Sequence, residues 1–274
     1  MPKDDEHHEE APAVVEVGAD WKPPKDQKPR VDHGVPASSH TMKINQEMQS
    51  YAYVDATMFL VRGKNYLKDK VKIPSRESAF ELVEVSGFST QGKCMFTTER
   101  EDSYFQRARK IGRKNFVFVM HFDLNPMHVV MVYELNGAAL EQDPAFANCF
   151  KRFLQGDEAY KNARLKLITS VVDASWIVKK TIGKPVPALI GNKLTCHYRQ
   201  TEDMLECTCD VNSSMAARTI VSVVKSACKG IVCDLVLLIE GQQEDELPER
   251  IIGATRYVKH DLAKYIFLDG NKEK

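Results

Sequence analysis

Apolar and polar residues fall into two rhythms along this chain. "VFVMHFDL" (117–124) and "HVVMVYEL" (128–135) are apolar runs of strand length, joined across "NPM", an Asn-Pro turn signal. They predict a hairpin with His121 and His128 on opposed strands near its turn, read as ordinary strand histidines. The period then changes. In "DPAFANCFKRFLQG" (143–156), Phe146, Phe150, Phe153 and Leu154 recur on one helical face. Asp143 can cap that helix, Pro144 suits its first position and Gly156 can end it. This is a core helix.

"LKLITSVVDASWIVKKTIG" (165–183) is rich in β-branched residues and broken at "DAS". It predicts two strands, with Trp176 buried between β-branched neighbours. "KLTCHYR" (193–199) and "MLECTCDV" (204–211) flank the polar turn "QTED". Leu194, Cys196 and Tyr198 share a face, as do Leu205, Cys207, Cys209 and Val211, which predicts a half-buried hairpin. "NSSMAARTIVSVVKSACKG" (212–230) is the clearest helix. Ser213 or Ser214 can cap it, Gly230 can close it, and Ile220, Val223, Val224, Ala227 and Cys228 form its apolar stripe. "IVCDLVLLIEG" reads as a buried strand, and another follows around Ile251 to Tyr257. Strand pairs with a few helices, rather than regular βα alternation, predict an α+β fold. The expected architecture is a largely antiparallel, curved sheet packed by a few helices.

Residues 1–41 break these rhythms. They hold nine acids, five bases and prolines at 2, 12, 23, 24, 29 and 36. So few large apolar groups cannot offset the entropy of ordering, and a disordered N-terminal arm is expected. Val14, Val15 and Trp21 are unusual in a spacer and suit an arm that orders across a partner. Residues 42–274 are expected to form a single domain.

Composition narrows the function classes. Lys plus Arg (38) balance Asp plus Glu (38), which argues against a general nucleic-acid binder. The polar, acidic start "MPKDDEHHEE" has no signal-peptide core, and the longest greasy run, "IVCDLVLLIE", is too short to span a bilayer. Seven scattered cysteines read as reduced thiols in the cytosol. There is no phosphate-binding glycine loop and no G-x-S-x-G. Cys196, Cys207 and Cys209 alternate on strands, and His197 points away from Cys196, so they read as core thiols and no metal or cofactor is expected. "EDELPE" (244–249) reads as a solvated loop. The bases are uneven: residues 62–76 carry six to one acid, and residues 151–184 carry eight to three acids. Such clusters can meet anionic headgroups.

The first cluster sits in "FLVRGKNYLKDKVKIPS" (59–75). This stretch resembles the opening of the C-terminal domain of the plant Enhanced Disease Resistance 2 family, with its similar "F-x-VRG-x-NYL-x-DK-x-K-x-P". Residues 153–198, 205–224 and 233–256 resemble later blocks in order, so the similarity spans roughly 50–262, poorest over 91–145. In plant members this domain follows a pleckstrin-homology domain and a START-like domain. Forty-one residues cannot hold those modules, so their phosphoinositide association is not expected to carry over. The resemblance leaves two uses for "VRGKNY": a ligand contact, or a turn in which Gly63 supplies a special backbone angle and Asn65 a local hydrogen bond.

The expected function is a non-enzymatic, lipid-associated regulatory domain with an apolar cavity. It would be cytoplasmic and peripheral to a membrane or cytoskeletal assembly. Arg62, Lys64, Lys68, Lys70, Lys72, Lys179 and Lys180 are the candidates for an anionic headgroup or membrane surface. The alternative is an interaction component of a larger assembly, docking through the arm.

Overall fold

Two sheets face each other across one core. The computed structural model describes residues 34–38, 41, 50–92, 94–182 and 187–268. The arm residues Val14, Val15 and Trp21 lie outside them. The chain runs through β1 (Ser50–Tyr53), β2 (Leu60–Arg62), α1 (Tyr66–Asp69), β3 (Lys72–Pro74), β4 (Phe80–Thr90) and α2 (Tyr104–Lys110). The expected hairpin follows as β5 (Val117–Asp123) and β6 (Met127–Leu135). Next come α3 (Gly137–Gln142), α4 (Pro144–Gln155), α5 (Glu158–Asn162), β7 (Leu165–Asp173), α6 (Trp176–Ile182) and β8 (Ala188–Leu189). The last third holds β9 (Thr195–Thr201), β10 (Met204–Asp210), α7 (Met215–Ala227), β11 (Val232–Ile239), β12 (Ile251–Val258) and β13 (Ile266–Leu268).

The five-stranded sheet has the order β1-β12-β11-β7-β8 and is antiparallel throughout. The six-stranded sheet has the order β13-β4-β6-β5-β10-β9, with parallel pairing only at β13–β4 and β5–β10. The fold is α+β and mostly antiparallel. Inner faces meet where Phe118, Met120, Met131 and Tyr133 pack with Leu165, Leu237, Ile239 and Ile252. Helix α4 closes the core with Phe146, Phe150 and Phe153, and burying each such ring stabilises by about 1.5–3 kcal/mol. Its cap forms as expected: Asp143 accepts from the Phe146 N–H at 3.1 Å. On the outer face of the larger sheet lie Tyr104, Phe105 and Ala108 of α2. On the outer face of the smaller sheet lie Ala56, Phe59 and Val61.

Three expectations need correction. Of the hairpin β9–β10, only β9 is half buried. Strand β10 lies between β9 and β5 and is buried from Met204 to Cys209 on both faces. Residues 176–182 form a helix rather than a second strand. β7 pairs with β11 up to Asp173, opposite Val232 where β11 begins, so the ladder has no further partner there. Helix α6 then sends only Val178 of its first five side chains inward, and Trp176 is 72% exposed rather than buried. The stripe on α7 is also shallower than its sequence suggests. Ser214 caps the helix, Ala217 and Val221 rest on the core, and Ile220 stays 40% exposed.

Candidate functional site

The stretch that opens at Phe59 folds into β2, α1 and β3, with Arg62 opposite Lys72. The Gly63 N–H donates to the Val71 carbonyl at 3.0 Å, and a Cβ on Gly63 would stand 2.9 Å from that oxygen. Close approach, rather than an unusual angle, requires glycine here. The left-handed residue is Lys70 (φ 59), which ends α1. Asn65 precedes α1 without a side-chain cap bond, contrary to the expectation.

Arg62 is turned inward. Its Nη2 meets Glu240 at 3.1 Å, its Nη1 donates to the Gly241 carbonyl at 3.1 Å, and its guanidinium lies 4.8 Å from the Tyr66 ring centre. The Arg62 backbone N–H donates to Glu249 Oε2 at 3.0 Å. Lys166 Nζ lies 3.0 Å from Glu240 and 3.1 Å from Glu249, while Arg164 meets Glu246 at 2.7 Å. Burial alone would raise the Glu240 carboxyl, but Lys166 and Arg62 outweigh it and hold the group below the ordinary carboxylate range. Arg62 is thereby withdrawn from the headgroup candidates. "EDELPE" is not a solvated loop, since Glu246 and Glu249 are buried acceptors of this network. The second basic cluster shrinks likewise, because Lys161, Arg164 and Lys166 are buried.

Of the remaining candidates in this stretch, Lys64, Lys68 and Lys70 are exposed and Lys72 is half-buried. Lys68 pairs with Glu244 at 2.8 Å. Lys179 and Lys180 are exposed at the other end of the smaller sheet. Arg62 sits beyond the Ile239 end of β11 and α6 beyond its Val232 end, so the eight residues of β11 separate the two groups by roughly 25 Å. The seven expected bases do not converge on one site.

The α6 end has a distinctive surface. Trp176 and Ile177 are 72% and 58% exposed, beside Lys179 and Lys180. Helix α7 packs against α6 and adds Met215, 76% exposed. The two helices carry Lys179, Lys180, Arg218 and Lys225 and no acid.

Under α2, the outer face of the larger sheet is polar. Glu206 accepts from the backbone and hydroxyl of both Thr97 and Thr98, at 2.6–3.0 Å. His121 Nε2 lies 3.0 Å from His128 Nδ1, and His121 Nδ1 lies 3.1 Å from Thr208 Oγ1. Thr208 donates its proton to the Met95 carbonyl, so His121 donates from Nδ1 and turns a bare Nε2 to His128, whose own Nε2 lies 2.9 Å from Thr90 Oγ1. Burial, and then His128, push the His121 imidazole down to about 3, so it stays neutral. Arg107 pairs with Glu84, and Arg113 and the Tyr104 hydroxyl meet Glu134. The cavity between this face and α2 has a volume of about 20 Å³, room for one water and not for an acyl chain.

On the opposite face of β10, the sulfurs of Cys196, Cys207 and Cys209 lie within 4.8 Å of one another. Thiol hydrogen bonds, from Cys207 first and then Cys209, bring Cys196 down to about 4. Burial pushes Cys207 and Cys209 well up. Sequence reading placed these residues on shared faces but missed that the register brings all three together.

The model for the C-terminal region of Protein ENHANCED DISEASE RESISTANCE 2 matches residues 51–261. A protein of Arabidopsis thaliana called "Protein ENHANCED DISEASE RESISTANCE 2-like" is 31% identical over 212 residues, covering 77% of this chain and 29% of that protein. The chain therefore corresponds to under a third of that relative's length. No solved structure matches. The match takes in β2, α1 and β3, the 240–249 ion network and both exposed helices, and the chain belongs to the ENHANCED DISEASE RESISTANCE 2 C-terminal family.

Proposed function

We propose that this domain is a non-enzymatic regulatory module that docks on anionic membrane surfaces through α6 and α7, peripheral to the membrane on its cytoplasmic side. The observation that carries this reading is Trp176, 72% exposed one turn from Lys179 and Lys180. An indole favours the boundary between headgroups and acyl chains. Ile177 and Met215 add apolar surface, and each nearby base adds about 1 kcal/mol at an anionic leaflet. Among the described residues, no helix is long and apolar enough to cross a membrane. The lipid contact is on the surface rather than in an interior cavity.

The stretch 64–72 is a weaker candidate, because Lys68 is engaged by Glu244 and Asp69 lies among its bases. Phosphatidylcholine vesicles with and without phosphatidylserine test the reading in a Trp21→Phe background. Trp176 emission should shift to the blue only with phosphatidylserine. Lys179→Glu with Lys180→Glu should weaken binding by on the order of tenfold or more. Equal binding to both vesicles would sink the proposal. A protein partner lost on deleting residues 1–41 would favour the assembly role instead.

A further inference from the structure

Cys196 lies on β9, the edge strand of the larger sheet, and Cys209 lies directly opposite it on β10. Their sulfurs are 3.2 Å apart. Opposed residues of an antiparallel pair have Cα atoms about 4.5–5.5 Å apart, inside the range of about 4.4–6.8 Å that a disulfide spans. Cys207 Sγ is 3.7 Å from Cys209 Sγ, but those two residues follow each other on one strand. Their Cα atoms are then roughly 6.6 Å apart, at the limit of disulfide geometry. We infer that Cys196 and Cys209 form a site of oxidative modification, joined by peroxide into a cross-strand disulfide.

The chemistry starts at Cys196, which keeps 5% exposure while Cys207 and Cys209 have none. Its sulfur, flanked by the two neighbouring thiols, attacks one oxygen of hydrogen peroxide. The O–O bond breaks, leaving a sulfenic acid on Cys196 and, with the thiol proton, one water. The Cys209 sulfur then attacks the Cys196 sulfur. The S–O bond breaks, the S–S bond forms, and the departing hydroxide takes the Cys209 proton as a second water. Two thiols lose two electrons in total, and peroxide gains them. The product is neutral and suits its surroundings, since Cys196, Cys207 and Cys209 belong to the apolar core. Three thiolates around a soft monovalent ion would instead leave two negative charges there, which burial opposes.

The full chain, purified under reducing conditions and then exposed to hydrogen peroxide, provides the test. Alkylation in denaturant should find free thiols falling from seven to five. A non-reduced tryptic map should join residues 194–199 to residues 200–218 through Cys209, and dithiothreitol should undo the link. Cys207→Ser should keep the link and Cys209→Ser should abolish it. Residues 200–218 carry both Cys207 and Cys209, so fragmentation of the linked wild-type peptide between them names the joined sulfur, and a variant that fails to fold does not decide the matter. Seven retained thiols, a link through Cys207, or a sulfinic acid on Cys196 without a link would overturn the inference. So would stoichiometric zinc or copper in the native protein that Cys207→Ser releases.

Discussion

The Tyr133 ring on β6 rests against Gly253 on β12, where the two sheets meet. A Cβ on Gly253 would stand 2.4 Å from two ring carbons, and the Tyr133 hydroxyl meets Thr255 Oγ1 at 2.7 Å. Gly253→Ala must therefore push the sheets apart or displace a fully buried ring. Overpacking of this kind costs about 1–3 kcal/mol, whereas Tyr133→Phe removes the bond to Thr255 and a weaker one to the Met131 sulfur, at about 1 kcal/mol. Urea unfolding of both variants checks this. A Gly253→Ala protein as stable as wild type would show that the sheets do not meet here.

Arg62 and Lys68 belong to the same basic stretch and should respond oppositely. Arg62→Ala removes a cationic partner from the buried Glu249 and from Glu240, leaving Lys166 as their one base among the described residues, beside the backbone N–H groups that Glu249 keeps. Breaking a buried pair from one side costs about 3–5 kcal/mol. Lys68→Ala cuts an exposed pair and should leave the unfolding midpoint where it was. If neither change moves the midpoint, the network does not hold β2 to the 240–249 connection.

The histidines give a pH signature. The His121 imidazole titrates at about 3 in the fold against 6.5 ordinarily, and burial carries His260 to about 4. Burial lowers His128 in the same direction, although Asp123 opposes it. A lowered folded pKa means that the unfolded chain takes the proton first. Stability then declines as pH falls below 6.5, by about 1.4 kcal/mol per pH unit for each histidine held neutral. Burial raises the Glu206 and Asp234 carboxyls, which act with the opposite sign. Glu240 and Glu246, both held low, add stability that is lost only below about pH 4.5. Urea unfolding at pH 7 and pH 5 should differ by more than about 2 kcal/mol. A profile that stays flat across that interval when Glu206→Gln and Asp234→Asn remove the opposing carboxyls would mean that the histidines are solvated.

Local patterns were readable in the sequence where one interaction decides the outcome. Asp143, Pro144 and Gly156 bound α4 as their chemistry dictates, the apolar runs around the Asn-Pro turn mark the β5–β6 hairpin, and the shared faces of β9 and β10 mark the second. The architecture between them depended on distant partners. The parallel β5–β10 contact buries a second face of β10 that carries Glu206 and Thr208, residues that read as solvent-facing when a strand is taken alone. Strand β4 and helix α2 were not assigned, because Glu81, Glu84 and Ser86 interrupt one and arginines crowd the other. Their meaning depends on ion pairs such as Arg107–Glu84 that no local pattern reveals. Trp176 failed for the same reason: its β-branched neighbours favour a strand, but no strand remains to pair with it.

Asp143 combines a local role with a distant one, and substitution can separate them. Its Oδ1 caps α4 while Oδ2 lies 3.5 Å from Arg250 and 3.3 Å from Arg76. Asn caps a helix about as well as Asp, so Asp143→Asn should remove the charge and keep the cap. Asp143→Ala loses both, and should cost about 1 kcal/mol more than Asp143→Asn. Repeating the pair of substitutions in an Arg250→Met background should shrink the Asn effect, because the buried guanidinium that needs the charge is gone. The difference between Asn and Ala should survive there, since the Phe146 N–H still needs an acceptor. Equal losses for Asn and Ala in the wild-type background would assign the whole role of Asp143 to its ion pairs.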